Sequence, residues 1–134
     1  MLEFKADLNL NNFQEMNSLH VICNNPKVDK DLIKLFLRYG CDINSKNVLE
    51  MTPLHLLCRN KNTTLELVKF MVENKSDVNS VNSQNMTPLH FSLHNSNNET
   101  ISEYLVEKME TLDIKGILLI NIFYFYFIFL FILY

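Results

Sequence analysis

The sequence predicts an all-α solenoid of about three stacked helix pairs, because two short motifs recur in phase along the chain. Residues 51–55 and 86–90 both read MTPLH, and residues 16–20 (MNSLH) are a weaker copy. An Asp-apolar-Asn marker begins at residues 7, 42 and 77, so both motifs repeat every 35 residues. Because two independent markers keep one step, the 134-residue chain is interpreted as a repeat array rather than one irregular domain.

The Thr-Pro pair of the MTPLH motif predicts the start of a short helix in each unit. Thr52 and Thr87 suit the N-cap, where a hydroxyl accepts from the free amides of the first turn. Pro53 and Pro88 suit the first helical position, where the missing N–H costs nothing. In the first unit Asn17 takes the cap position. An Asn-rich segment follows each of the first two helices and is predicted to end it.

A second, longer amphipathic helix is predicted after the short one. The expected buried stripe is Leu32, Leu35, Phe36 and Tyr39 in the first unit and Leu65, Val68 and Val72 in the second. These residues follow the i, i+3, i+4, i+7 spacing of one helix face. Gly40 permits a left-handed end to the first of these helices. The polar segment 44–50 is predicted to be an exposed hairpin or loop.

These features together resemble the ankyrin repeat family, with TPLH opening a short helix and a hairpin that follows a Gly-x-Asp-[Ile/Val]-Asn segment. The 13-residue step from Asp42 to His55, which all three units share, is also typical of that family. The implied organisation is an ankyrin repeat domain at 1–112, made of a partial repeat (1–6) and repeats at about 7–41, 42–76 and 77–112, then a hydrophobic tail at 113–134. The resemblance implies that His20, His55 and His90 brace the hairpins by hydrogen bonding.

The chain departs from the family pattern at its glycine positions. The glycine that normally stands two residues before the Thr-Pro pair is replaced by Glu15, Glu50 and Asn85. Lys75 stands where Gly40 ends the first long helix. Because a side chain is strained in the left-handed conformation, we expect looser hairpins and a less stable stack than in a consensus array.

Composition excludes several classes of function. The net charge of −3 argues against nucleic acid as a partner. With only two glycines, Gly40 and Gly116, the chain has no glycine-rich phosphate loop. The three cysteines lack CxxC spacing and fit neither a disulfide framework nor a zinc finger; Cys23 and Cys58 are expected in the core. No constellation of nucleophile, base and orienting group is present, so we expect a non-enzyme without a cofactor.

The recurring histidines do not predict a metal site. Stacking places His20, His55 and His90 about 10 Å apart, which is too far for them to share one ion. His90 and His94 have the i, i+4 spacing of a zinc-binding helix pair. However, no glutamate follows His90 and no third ligand is evident.

The hairpin tips are the predicted surface for binding another protein, because a repeat stack leaves a row of tips and short-helix faces exposed. Apolar residues at positions expected to be exposed to solvent suggest contacts that anchor a partner protein. The candidate partner-binding residues are Phe13, Val48, Leu49, Met51, Arg59 and Gln84. The alternative is that these side chains only pack against the next hairpin, and the sequence leaves both interpretations open.

The tail is a separate problem, because residues 117–134 carry no charge and are interrupted only by Asn121. As a helix this segment would be about 27 Å long, close to the roughly 30 Å hydrocarbon core. A C-terminal membrane anchor with the repeats in the cytosol is therefore one interpretation. The Phe-Tyr run favours a strand, and every residue type in the tail can be encoded by A and T alone. Translated non-coding sequence is a second interpretation, and a buried capping segment is a third.

The function expected from the sequence is that of a non-catalytic adaptor or scaffold, or of a piece of a longer array. The chain would be cytoplasmic or anchored by its tail. The competing class is a membrane protein, in which the repeats form the cytosolic part of a channel or of an ankyrin-bearing acyltransferase.

Overall fold

The computed structural model describes residues 7, 9–95 and 99–109, and these residues form six helices and no strand. The helices are α1 (Ser18–Asn24), α2 (Lys30–Arg38), α3 (Pro53–Arg59), α4 (Leu65–Glu73), α5 (Pro88–Leu93) and α6 (Glu99–Lys108). Over the described residues the predicted all-α architecture of three helix pairs is confirmed.

The short helices begin where the caps predicted them. Asn17, Thr52 and Thr87 have extended backbones at the N-cap of α1, α3 and α5. Asn17 Oδ1 accepts from the backbone N–H of His20 at 3.1 Å, which satisfies one of the free amides of α1. Pro53 opens α3, as Pro88 opens α5.

The helices are arranged in two layers, with the short helices side by side. The α3 helix packs against both α1 and α5, and each long helix packs on the short helix of its own unit. Leu19, Leu54 and Leu89 recur at the repeat period and are all buried. Cys23 and Cys58 are fully buried beside them, as expected. The core therefore lies between the layers and continues from unit to unit.

The buried face of α2 is a correction to the predicted stripe. Ile33, which lies outside that stripe, is fully buried, whereas Leu32, Leu35 and Tyr39 are exposed. In the second unit Leu67, the counterpart of Leu32, is only 7% exposed. The difference arises because α4 lies between two helix pairs, whereas α2 lies at the edge of the described stack.

Several predictions fall on residues that the structure does not describe. The partial repeat at 1–6 and the hydrophobic tail at 113–134 lie outside the described residues. The repeat boundaries at about 7–41, 42–76 and 77–112 stay predictions. Among the described helices, none combines the length and the apolar character needed to cross a bilayer.

Candidate protein-binding surface

Each hairpin tip is closed by one asparagine, a feature that the sequence reasoning missed. The side-chain oxygen of Asn47 accepts from the backbone amides of Leu49 at 3.0 Å and Met51 at 2.9 Å. The Asn47 amide donates to the Met51 carbonyl at 3.1 Å, and its carbonyl accepts from Glu50 at 2.8 Å. Asn12 and Asn82 make the equivalent bonds in the other two units. The signal was available, because the three asparagines recur every 35 residues.

Left-handed backbone conformations occur where the family pattern has glycine. Glu15, Glu50 and Asn85 have φ angles of 55°, 56° and 57°, and Lys75 has φ 75°. Side chains are strained in this region by roughly 1 to 2 kcal/mol each. The asparagine bonds close every tip in the same form, and the expectation of looser hairpins and a less stable stack stays a prediction.

Backbone hydrogen bonds join neighbouring tips into one row. The Val48 amide donates to the Gln14 carbonyl at 3.1 Å, and the Ser83 amide donates to the Leu49 carbonyl at 3.0 Å. Because each tip is tied to the next, the row is a fixed surface rather than three independent loops. The candidate residues on neighbouring tips therefore lie side by side.

Three apolar candidates are exposed on this row, as the sequence analysis expected. Phe13 has a relative exposure of 106%, and Val48 and Leu49 are 53% and 54% exposed. Gln84 is exposed on the third tip. We call the row formed by Phe13, Val48, Leu49 and Gln84 the tip surface. Large apolar side chains grouped in water favour binding to a complementary surface.

Met51 is a correction to the predicted contact set. Its side chain is only 3% exposed and belongs to the hydrophobic core, so it is not available on the tip surface. The chain turns inward directly after Glu50, which places the next residue beneath the tip rather than on it. Arg59, at the end of α3, is exposed and donates from Nη2 to Asn24 Oδ1 at 3.0 Å.

Two of the motif histidines bridge from one unit to the next. His55 Nδ1 accepts from the Thr52 amide at 3.0 Å, which leaves Nε2 as the protonated nitrogen. Nε2 can then donate to the Met86 carbonyl of the following unit, which lies 3.0 Å away. His20 makes the same bridge to the Met51 carbonyl at 2.9 Å. Each histidine therefore supports the chain just before the next short helix.

Burial disfavours the charged form of the motif histidines. Desolvation lowers the pKa of His55 from 6.5 to about 4, an effect partly opposed by the hydrogen bond to Met86. Desolvation also lowers the pKa of His20 and of His90. Burial of a structural group is enough to shift its pKa, so these shifts do not by themselves indicate catalysis.

A second asparagine series joins neighbouring units at the segments that follow the long helices. Asn44 Nδ2 donates to the Lys75 carbonyl at 2.9 Å, and Asn44 Oδ1 accepts from the Asp77 amide at 2.9 Å. Asn9 makes the matching pair of bonds one unit earlier, to Gly40 and Asp42. Asn9 and Asn44 are the asparagines of the Asp-apolar-Asn marker, so this marker recurs because its asparagine makes hydrogen bonds to the next unit.

The described residues offer little for metal binding or nucleophilic chemistry. No group of three or more His, Cys, Asp or Glu side chains among them could hold a metal ion. His94 Nδ1 lies 3.1 Å from the His90 carbonyl, so that nitrogen is directed at its own helix. Burial raises the pKa of the thiols of Cys23 and Cys58, which disfavours a reactive thiolate.

Comparison with known proteins agrees with this geometry. A family model described as ankyrin repeats (3 copies) matches residues 19–115. No curated protein matches the chain.

Proposed function

The chain belongs to the ankyrin repeat family, and from that premise we propose that it is a non-catalytic adaptor or scaffold whose tip surface binds another protein. Ankyrin repeats are generally modules for protein interaction. The observation that carries the proposal is the set of exposed apolar side chains on a row of tips fixed by hydrogen bonds. A fixed surface loses little conformational entropy on binding, so its apolar area can contribute to affinity.

Val48 and Leu49 are the proposed centre of the contact. They lie on the middle tip, which is bonded to both of its neighbours, and about half of each side chain is exposed. Residues near the centre of an interface dominate its energy, because surrounding contacts exclude water from them. Phe13 and Gln84 would extend the contact over the flanking tips.

A capture experiment with matched variants tests the proposal. The tip variant carries Val48→Asp with Leu49→Asp, and the control carries Leu32→Asp with Leu35→Asp at exposed positions of α2, at the edge of the described stack. Both variants place two carboxylates at apolar positions of similar exposure, about half the side chain or slightly less. We expect the wild type and the control to capture the same protein from cells of the source organism, and the tip variant to lose it.

The opposite result would overturn the proposal. If a correctly folded tip variant retained the partner while the α2 control lost it, the binding face would be the outer helices. Circular dichroism and thermal unfolding of each variant establish that the fold is retained before capture is compared.

The apolar sequence of residues 117–134 favours a second candidate, a membrane-anchored ankyrin protein or the cytosolic piece of a channel or acyltransferase. In this proposal the tail inserts into a bilayer and the repeats face the cytosol. Resistance of the full chain to carbonate extraction from membranes, compared with a chain ending at residue 112, tests it. Equal release of both chains into the soluble fraction would count against the anchor.

A further inference from the structure

We propose that the cleft between α3 and α5 binds an acidic peptide segment of the partner, seated by one apolar side chain; this rests on the proposed protein-binding function. The cavity has a volume of about 370 Å³. Its cations are Arg59 and Lys61, and its apolar surface comes from Met86 and Phe91. We call this feature the basic cleft. Its volume is in the range of sites that hold a side chain or small ligand.

The walls of the basic cleft are fixed by bonds between the second and third units. Asn95 Nδ2 donates to the Asn60 carbonyl at 3.2 Å, which ties the end of α5 to the end of α3. The rings of Phe91 and His55 meet edge to face, with centroids 5.8 Å apart and an interplanar angle of 84°. A cleft held in this way does not have to form on binding, so less of the interaction energy is lost to ordering.

The charge of the basic cleft is not balanced by the residues that line it. None of the described lining residues is a carboxylate. Arg59 bonds to the neutral side chain of Asn24. The one salt bridge among the described residues joins Lys30 and Glu66 on the long helices, away from this cleft. An incoming carboxylate would therefore meet two exposed cations that keep hydrogen-bonding capacity.

The preceding junction between units does not offer the same surface. Met51 and Leu56, which occupy the positions of Met86 and Phe91 one repeat earlier, are only 3% and 2% exposed. Met86 and Phe91 are partly exposed, and they lie just before and on the last short helix of the described stack, whereas α3 has a neighbouring short helix on each side. The position of Arg59 is taken there by Asn24, which has no charge. Within the described stack, apolar surface and cations thus coincide at the second junction.

The combination of charges and apolar surface favours a peptide over a polyanion. Nucleic acid is recognised through an extended basic surface, whereas this chain has a net charge of −3. Two cations beside Phe91 instead match a short segment with carboxylates on either side of a leucine or an aromatic residue. Arg59 also ends α3, where a cation stabilises the helix terminus, so a purely structural role is the competing explanation.

Titration of the isotope-labelled full chain by NMR tests this inference. The probe is a short peptide of glutamates around one leucine, and the matched control replaces every glutamate by glutamine. We expect the acidic peptide, but not the glutamine control, to cause saturable chemical-shift changes at the amides of Arg59, Lys61 and Phe91. Added salt should weaken this binding. A variant with Arg59→Gln and Lys61→Gln should bind it roughly tenfold more weakly or worse, as expected for lost bonds to charged groups. The charge-preserving Arg59→Lys with Lys61→Arg should retain binding.

Several outcomes would overturn the inference. These are equal binding of the glutamine peptide, unchanged affinity in the charge-removed variant, or shifts that never saturate. Inorganic phosphate reproducing the same shifts at the same concentration would replace the peptide by a simple anion. A lower unfolding midpoint in the charge-removed variant, with unchanged peptide affinity, would assign Arg59 to helix stability alone.

The tip variant separates this inference from the function on which it rests. The charge-matched control, Leu32→Asp with Leu35→Asp, should leave affinity for the acidic peptide unchanged, because neither residue lines the basic cleft. If the charge-removed variant captured the partner as well as the wild type while the tip variant lost it, the cleft would be rejected and the protein-binding function would stand. If neither the charge-removed variant nor the tip variant lost the partner, both the basic cleft and the tip surface would be rejected as its binding site.

Discussion

Acidification should destabilise the repeat stack through His55. This ring is fully buried, accepts from the Thr52 amide and can donate to the Met86 carbonyl. Burial lowers its pKa from 6.5 to about 4. Between these two values the unfolded chain binds more protons at this position than the folded chain does. The free energy of unfolding therefore falls as the pH falls through this window.

The magnitude follows from the size of that pKa change. Each tenfold difference in proton affinity is worth about 1.4 kcal/mol, so a pKa lowered from 6.5 to about 4 means that His55 accounts for at most about 3.5 kcal/mol. The contribution is complete above pH 6.5, is lost progressively as the pH falls towards about 4, and changes no further below that value. A loss of this size is large for a domain whose total stability is on the order of 5 to 15 kcal/mol.

Urea unfolding followed by circular dichroism, repeated at steps from neutral pH to pH 4, measures this effect. His55→Asn removes the titrating ring, and His94→Asn at an exposed position is the matched control. Because the carboxylates titrate in all three proteins, their effect cancels in the differences. We expect the stability gap between wild type and His55→Asn to narrow by about 3 kcal/mol as the pH falls. A gap to His55→Asn that is constant with pH would refute the reasoning.

Three further predictions test the hairpins and the helix faces. Asn47→Ala should lower the free energy of unfolding by about 1 to 3 kcal/mol, since two backbone amides lose their acceptor; an unchanged urea midpoint would contradict this. Glu50→Gly should raise the thermal midpoint, because glycine relieves the left-handed backbone strain at this position. After the greater entropy of glycine in the unfolded chain is subtracted, the net gain is about 1 kcal/mol. A lower midpoint would show that Glu50 is not strained. Ile33→Ala should cost about 2 to 4 kcal/mol and Leu32→Ala under about 1 kcal/mol, as measured by urea unfolding; the reverse order would restore the stripe predicted from the sequence.

The helix starts could be predicted from the sequence because their causes are local. A threonine followed by proline satisfies the first amides of a helix whatever surrounds it, and α3 and α5 begin at Pro53 and Pro88 as expected. The buried face of α2 could not be predicted, because Leu32 and Ile33 are both apolar and belong to different faces. Which face is covered depends on the neighbouring unit, and spacing within one helix carries no information about that.

The candidate surface was likewise predictable only in part. Exposure of Val48 and Leu49 follows from their place in a polar hairpin, which is a local property. The burial of Met51 depends on the direction the chain takes after Glu50, and that direction is set by the bonds of Asn47. The sequence analysis missed that asparagine; its recurrence every 35 residues marks the position but does not state which amides it binds.

The most direct test of the account is the NMR spectrum of the labelled chain when its captured partner is added. We predict that the amides that lose intensity cluster on the tip surface, at Val48, Leu49 and Gln84, and extend to Arg59 at the end of α3. Losses confined to the outer faces of α2 and α4, with the tip amides unchanged, would contradict it.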